Sequence, residues 1–277
     1  MRVALVCEES AGARVLENLA RDAHEIVALV TSPHSPAWNL GVKLGVRPLA
    51  ARRVREPDFA DVLASCGAQL LLNIHSLYIV PQPALRAPPL GAYNLHPGPL
   101  PGCAGLNAPS WAIYRGEPRH GVTVHRMEAG IDTGPIAFQD WFPLEESDTG
   151  LSVALRCARR GVELVRKLVQ ILARDPAGLE LTPQDLAQRR YFGREVPQGG
   201  RIDWNAPARR IYDFVRACDY QPFASPWGTP VAQLGGREVE VQKVALTGER
   251  SHAAPGSVRD DNLVATADEW LLLKKWK

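Results

Sequence analysis

Three polar residues in the middle of the chain have side chains suited to hydrogen bonding and proton transfer at one substrate. Asn94 and His96 are two residues apart, so their side chains point to the same face if they end a strand. Asp132 lies in the turn sequence IDTGPI, just ahead of another apolar segment. An amide donor, an imidazole that titrates near neutrality and a carboxylate that can orient it form a set for general acid–base chemistry. We therefore expect these three side chains to meet around one substrate.

Other catalytic signatures do not occur in the sequence. No serine lies in a G-x-S-x-G turn, no glycine-rich phosphate loop follows the first apolar segment, and the histidines lack H-E-x-x-H spacing. The five cysteines include no C-x-x-C pair, so we expect neither a metal site nor a disulfide framework. Direct transfer without a covalent enzyme intermediate is the simplest chemistry that remains.

Buried-strand and helix patterns alternate along the first part of the chain, as in an α/β protein. The predicted strands cover residues 3–7, 25–31, 69–74, 121–125 and 136–141, and the predicted helices cover residues 11–20, 58–65 and 151–173. This order predicts a Rossmann-like, mostly parallel sheet with helices on both faces. Ligands bind such sheets at the carboxyl ends of the strands, which is where Asn94 and His96 would lie.

The helical period is lost after the last of these helices. We predict a first domain over 1–175, which would hold the chemistry, and a linker over 176–200, where proline, glycine and polar residues accumulate. Short apolar segments punctuated by glycine pairs follow, and they predict a small β-rich C-terminal domain over 201–277.

The composition is that of a folded globular protein. The 277 residues are 45% hydrophobic and 22% charged, and 32 Lys plus Arg against 30 Asp plus Glu leave a net charge of +2. Such a balance gives no reason to expect binding to nucleic acid. The first residues carry no cleavable signal, and there is no apolar stretch of 18 residues, so we expect a cytoplasmic protein without a membrane partner. The oligomeric state is not indicated.

Two long motifs resemble a known family. NLHPGPLPGCAGLNAPSWAI (94–113) and HGVTVHRMEAGIDTGPI (120–136) are similar to the signature of formyltransferases that use 10-formyltetrahydrofolate. Members of that family act on methionyl-tRNA, on a phosphorylated purine precursor or on sugar nucleotides. The similarity continues upstream and downstream over nearly the whole chain. The resemblance implies an enzyme of one-carbon metabolism that takes 10-formyltetrahydrofolate as co-substrate.

The resemblance also implies roles for particular residues. Asn94, His96 and Asp132 would be the catalytic residues: the amide and the imidazole would stabilise the oxyanion that develops when an amine attacks the formyl carbon, and the carboxylate would orient the imidazole. A second set would bind the cofactor, mainly through backbone groups. That set comprises Leu77, Tyr78, Ile79, Val80, Gly130 and Ile131.

Two further histidines lie near these motifs. His125 could orient Asp132, although a hydrogen-bonded core histidine is the more common role for such a residue. His75 has the same two interpretations, and we favour a structural role for it.

The acceptor of the formyl group is harder to predict. Residues 201–277 carry 11 Lys plus Arg against 10 Asp plus Glu, which disfavours a domain that binds tRNA. Glu8 and Glu9 follow the first predicted strand, where they would repel a phosphate. We therefore expect a small-molecule amine, such as an amino sugar, an amino acid or a natural-product intermediate. Methionyl-tRNA as acceptor, or hydrolysis of 10-formyltetrahydrofolate, remains open as an alternative.

Overall fold

The computed structural model describes residues 1–259 and 262–277, and its chain divides into two compact units. The first unit comprises Met1–Gly105, Gly121–Trp141 and Arg156–Tyr191. The second comprises Leu106–His120, Phe142–Leu155 and Phe192–Lys277. The domain boundaries predicted from the sequence, at residues 175 and 200, stay a prediction.

The first unit contains most of a seven-stranded sheet and the helices that cover it. Its strands are β1 (Arg2–Cys7), β2 (Glu25–Thr31), β3 (Leu49–Ala50), β4 (Leu70–Ile74), β5 (Ala92–His96), β6 (Ala104–Gly105), β7 (Arg119–Arg126), β8 (Ile136–Pro143) and β9 (Tyr191–Phe192), of which β6 and β9 lie outside the large sheet. Its helices are α1 (Glu9–Arg21), α2 (Pro36–Lys43), α3 (Phe59–Ser65), α4 (Gln82–Arg86) and the greater part of α6 (Gly150–Arg174).

The order of the strands in the large sheet is β3-β2-β1-β4-β5-β7-β8. The pairs from β3 to β5 are parallel, whereas β7 runs antiparallel to β5. The predicted α/β class with a mostly parallel sheet is therefore confirmed. The carboxyl ends of β1, β4 and β5 lie at one edge of this sheet, because parallel neighbours end on the same side.

Helix α2 is absent from the sequence-based prediction. Its sequence, PAWNLGVK, lies between turn residues and contains Gly41, so its helical period is weak. The start of the helix is instead defined by its N-cap: the Ser35 hydroxyl accepts a hydrogen bond from the Trp38 N–H, and Pro36 occupies the first helical position. The helix therefore begins at a well-formed N-cap that the apolar spacing does not reveal.

Helices α1 and α6 pack next to each other and bury apolar side chains. On α1 the residues Val15, Leu16 and Leu19 are buried at the predicted helical spacing. Helix α6 approaches β5 closely at Gly161, where a Cβ atom would lie 2.5 Å from Cδ1 of Leu95. Leu95 is 1% exposed and lies between Asn94 and His96. The contact therefore holds β5, the strand that carries both polar residues, close to α6.

The second unit contains a small antiparallel sheet and two short helices. Its helices are α5 (Ala108–Tyr114) and α7 (Ala208–Ala217), and its strands are β10 (Val231–Leu234), β11 (Arg237–Arg250), β12 (Leu263–Ala265) and β13 (Glu269–Trp276), in the order β10-β11-β13-β12. This sheet confirms the predicted β-rich C-terminal part. Helix α7 is missing from the prediction, although Ile211, Phe214 and Val215 are buried at helical spacing.

A single methyl group at position 161 should test the packing of α6 on β5. We expect Gly161→Ala to lower the free energy of unfolding by about 1–3 kcal/mol, because overpacking against Leu95 outweighs the higher helix propensity of alanine. Urea unfolding of the variant measures this. The double variant Gly161→Ala with Leu95→Ala should show less loss than the two single changes added together, and strict additivity would contradict the proposed contact.

Candidate active site

Three neighbouring strands bring polar side chains into one row. Asn73 on β4 is the register partner of Asn94 on β5, and Asn94 is the register partner of His125 on β7. The Asn73 amide nitrogen lies 3.1 Å from Oδ1 of Asn94, and Nδ2 of Asn94 lies 3.1 Å from Nε2 of His125. Cross-strand pairing therefore links these three side chains directly.

His96 ends β5 and is 3% exposed. Its Nε2 lies 2.6 Å from the carbonyl oxygen of Cys103, and since a carbonyl oxygen only accepts, Nε2 carries a hydrogen. Its Nδ1 faces Oδ2 of Asp132 at 3.4 Å. A second proton on His96 would thus point toward a carboxylate.

Asp132 is the residue on which the polar groups of this edge converge. It is 8% exposed and has a left-handed backbone conformation, with φ 56°. Its Oδ2 accepts a hydrogen bond from the Gly105 N–H at 2.8 Å, and its Oδ1 lies 3.3 Å from Nε2 of His125. The side chain of Gln184 donates to its backbone carbonyl at 3.0 Å. The carboxylate therefore connects His96 and His125.

The electrostatics of this cluster favour an ionised Asp132 beside a neutral His96. Burial acts to raise the pKa of Asp132, but His96, His125 and the Gly105 N–H outweigh it and hold that pKa below the ordinary value of 3.8. Burial also dominates at His96, where it lowers the pKa below 6.5 against the attraction of Asp132. The pair can accept one proton on His96, and Asp132 would stabilise the resulting cation.

The proline-rich loop after β5 is tied to the sheet by Thr123 and Gln139. The Thr123 hydroxyl donates to the Gly98 carbonyl at 2.7 Å and accepts from the Leu100 N–H at 3.2 Å. The Gln139 amide nitrogen donates to the Leu100 carbonyl at 2.9 Å. These bonds hold the loop that brings the Cys103 carbonyl to His96.

The predicted cofactor segment follows β4 and forms neither helix nor strand. Its side chains alternate: Leu77 and Ile79 are 80% and 68% exposed, whereas Tyr78 and Val80 pack against the apolar core. Its backbone N–H and C=O groups are not used in a strand ladder. Gly130 and Ile131, the other two predicted cofactor residues, are exposed in the turn before Asp132.

The structure thus brings Asn94, His96 and Asp132 into one polar cluster, with Asn94 joined to Asp132 through His125. The sequence favours a core role for His125, and Asn73 and Gln184 are not among the site residues predicted from it. His125 is buried, as expected of a core residue, but its Nε2 faces both Asn94 and Asp132. His125 lies on a predicted strand, and its position there is opposite Asn94 once the order of the strands is known. This position is the feature of the sequence that could have revealed its contact with Asn94.

The described residues contain neither a metal-binding group nor a membrane-spanning helix. No group of three or more His, Cys, Asp or Glu side chains there could hold a metal ion. No helix within residues 1–259 and 262–277 is long and apolar enough to cross a membrane.

Comparison with known proteins identifies the family. The formyl transferase model matches residues 1–169, and the model of the formyl transferase C-terminal domain matches residues 196–277. The chain belongs to the formyl transferase family. The resemblance inferred from the motifs and the prediction of an enzyme of formyl transfer are both confirmed.

Three relatives illustrate the range of this similarity. The methionyl-tRNA formyltransferase of Methylobacterium sp. (strain 4-46) is 30% identical over 257 residues, which cover 89% of this chain and 81% of that protein. The N-formyltransferase of Helicobacter canadensis, solved with folinic acid and dTDP-3-aminofucose, has a TM-score of 0.73 at 16% identity, with 98% of each chain covered. HypX of Aquifex aeolicus, solved with tetrahydrofolic acid, has a TM-score of 0.69 at 21% identity; 99% of this chain is covered, but only 43% of HypX.

The lowered pKa of His96 predicts how stability depends on pH. The unfolded chain binds a proton at this position more readily than the folded chain does, so the contribution of His96 is fully present above pH 6.5 and is lost as the pH falls. We expect the free energy of unfolding to fall less steeply from pH 7.5 to 5.5 in His96→Gln than in the wild type, by at most about 1.4 kcal/mol per pH unit.

Urea unfolding at a series of pH values measures this slope. The variant His34→Gln, which replaces an exposed histidine, serves as the control and should keep the wild-type slope. If the slopes of His96→Gln and the wild type coincide, His96 has no lowered pKa.

Proposed function

We propose that this protein is an N-formyltransferase that moves the formyl group of 10-formyltetrahydrofolate to an amine of a small molecule. The observation that carries the proposal is the buried carboxylate of Asp132 between His96 and His125, next to Asn94, in a chain of the formyl transferase family. This cluster contains an amide donor, an imidazole that can take up a proton and a charge that stabilises it. The attack of an amine on a carbonyl carbon requires groups of these kinds.

Each side chain has a distinct task in this mechanism. The co-substrate supplies the formyl carbon that the amine attacks. Asn94 has two N–H groups, of which one faces His125, so the other can donate to the formyl oxygen as negative charge develops. His96 can take up a proton on Nδ1, which faces Asp132, and Asp132 would stabilise the resulting cation. His125 orients Asp132 from the opposite side.

The segment after β4 fits the co-substrate. A pterin ring has flat apolar faces and an edge of amide donors and acceptors. Leu77 and Ile79 offer exposed apolar side chains, and the backbone between them is free of a strand ladder. Tyr78 and Val80 pack in the apolar core and hold the segment in place for the pterin ring. Solved structures of similar fold hold tetrahydrofolic acid or folinic acid, which supports a folate as the co-substrate.

The charge of the C-terminal residues supports a small acceptor. Within residues 201–277 several cations are already paired with carboxylates, and such pairs are poorly placed to bind a phosphate backbone. These pairs are Arg201–Glu238, Arg209–Asp213, Arg216–Asp213, Arg259–Glu249 and Lys277–Glu240. The presence of Glu8 and Glu9 after β1 also disfavours a phosphorylated group at that place.

Two alternatives make different products. The relative from Methylobacterium supports methionyl-tRNA as acceptor. Hydrolysis of 10-formyltetrahydrofolate would use the same polar cluster, with water in place of the amine. The predicted cytoplasmic location and a role in natural-product synthesis stay predictions.

Incubation with 10-formyltetrahydrofolate and a panel of amines tests the proposal. The panel comprises dTDP-3-aminofucose, L-ornithine and methionyl-tRNA, and mass spectrometry detects any product heavier by one CO unit. We expect a formylated small molecule. Formate released with no formylated amine would favour the hydrolase, and formylation of methionyl-tRNA alone would favour the tRNA enzyme.

Variants of the cluster test the mechanism. Replacing Asn94 by Ala, His96 by Gln or Asp132 by Asn should lower kcat by about 10²–10³, because these interactions strengthen in the transition state. The affinity for 5-formyltetrahydrofolate should stay nearly unchanged, since the pterin lies elsewhere. Asp22→Asn, which removes a carboxylate that pairs with Arg166, is the matched control and should keep full activity. Retained kcat together with a large loss of stability in the cluster variants would contradict the proposed roles.

A further inference from the structure

A second pair of imidazole and carboxylate lies at the same edge of the sheet. His75 follows the last residue of β4, and Glu9 is the first residue of α1, which follows β1. Nδ1 of His75 lies 3.0 Å from Oε2 of Glu9. Both residues have a left-handed backbone conformation, each with φ 57°. Non-glycine residues adopt this conformation rarely, and such positions concentrate at functional sites.

The partner of His75 fixes which of its nitrogens carries the hydrogen. The pKa of Glu9 is lowered by the hydrogen bond from His75, so Glu9 is an ionised acceptor. Nδ1 of His75 must therefore donate, and in the neutral ring the free lone pair is on Nε2. This Nε2 is buried and has no hydrogen-bond partner in the described part of the chain, although the side chain as a whole is 10% exposed. A buried polar atom without a partner calls for a ligand or another specific explanation.

His75 lies beside the polar cluster of the active site. The parallel register pairs Ile74 with Leu95, so His75, the residue after β4, lies next to His96, the last residue of β5. The charge of a protonated His75 acts on His96 and contributes to lowering the pKa of His96. The His75 side chain therefore lies at the same edge of the sheet as His96.

The surroundings of His75 favour a cation and disfavour an anion. Glu9 is 72% exposed, so its charge reaches the solvent as well as the ring. Glu8, the preceding residue, donates its backbone N–H to the Ile74 carbonyl and accepts a hydrogen bond from the Ser32 hydroxyl. Two neighbouring carboxyl groups would attract an incoming ammonium group and repel a phosphate.

We propose that His75 is the general base that removes a proton from the acceptor, and that the acceptor is a primary aliphatic amine that arrives as an ammonium ion. Glu9 holds the imidazole ring with Nε2 toward the acceptor, and Glu8 and Glu9 attract its charge. The reacting nitrogen of such an acceptor has no phosphate or carboxylate group beside it. This inference rests on the proposed N-formyltransferase function and names the substrate class of the same site.

In this reaction the acceptor gives up two protons, and N10 of the folate is the leaving group. The ammonium R–NH₃⁺ gives one proton to Nε2 of His75, and the lone pair that remains on nitrogen forms a bond to the formyl carbon. The bond from this carbon to N10 breaks, its electron pair stays on N10, and N10 receives the second proton of the amine. The products are R–NH–CHO and tetrahydrofolate, and His75 passes its extra proton to solvent.

Replacing His75 with glycine tests the proposal without straining the backbone, because glycine accepts a φ of 57°. With the amine that the wild type formylates best in the panel above, we expect kcat/KM at neutral pH to fall by about 10²–10⁴. The affinity for 5-formyltetrahydrofolate, measured by calorimetry, should not change. Added imidazole should restore part of the activity, and the loss should shrink at high pH, where the amine is already neutral.

Two further variants separate a base from a structural residue. His75→Asn tolerates the left-handed backbone and can still donate to Glu9, but it cannot act as a base and leaves no space for imidazole. It should be inactive without rescue. His34→Gly changes another histidine in the left-handed conformation, at φ 65°, and should keep full activity.

A spectrum of the ring nitrogens gives a reading that does not depend on turnover. In ¹⁵N-labelled wild-type protein we expect the His75 signal, assigned by its loss in His75→Gly, to show a hydrogen on Nδ1 and none on Nε2. A hydrogen on Nε2 instead would overturn the proposal. So would unchanged kcat/KM in His75→Gly, or a loss confined to folate affinity. If the wild type formylates no amine at all, it is the N-formyltransferase function itself that fails.

Discussion

The ionised carboxylate of Asp132, buried at the edge of the sheet, is the interaction on which the rest of the site depends. A buried charge is strongly unfavourable unless hydrogen-bond donors and opposite charges surround it. Here the Gly105 N–H donates to Oδ2, and Nδ1 of His96 and Nε2 of His125, which come from different strands, face the two carboxylate oxygens at 3.4 and 3.3 Å. Because these contacts come from β5, β7 and the proline-rich loop, they hold the turn around Asp132 against all three. The same contacts place a proton acceptor next to Asn94.

In the proposed mechanism, two pairs of imidazole and carboxylate at one edge of the sheet have different tasks. The pair of His96 and Asp132 is almost fully buried, which suits it to stabilise charge that develops on the formyl oxygen. The pair of His75 and Glu9 has a carboxylate open to solvent, which suits it to receive a cation and to return a proton to water. The ends of the parallel strands β4 and β5 bring the two pairs next to each other.

Much of this arrangement follows from the sequence. The apolar runs of β1, β2 and β4 are continuous because these strands are buried on both faces, and the spacing of Asn94 and His96 places them on one face of β5. The motifs around them identify the family. What the sequence does not contain is the order of the strands. Asn73 and His125 make their contacts between different strands, and His75 contacts Glu9 on α1, so local patterns do not show these partners. The sequence therefore favoured a core role for the two histidines and did not point to Asn73. Helix α2 was missed for a different reason, since its N-cap rather than its apolar spacing defines it.

The most direct test of the central claim is the pKa of His96 in the wild type and in Asp132→Asn, measured by NMR of the labelled histidine rings. In the wild type we expect a pKa below 6.5, because burial outweighs the attraction of the carboxylate. In the variant the burial remains and the negative charge is gone, so the pKa should fall further. A pKa that stays the same or rises in Asp132→Asn would contradict the account, because it would mean that Asp132 does not stabilise a proton on His96.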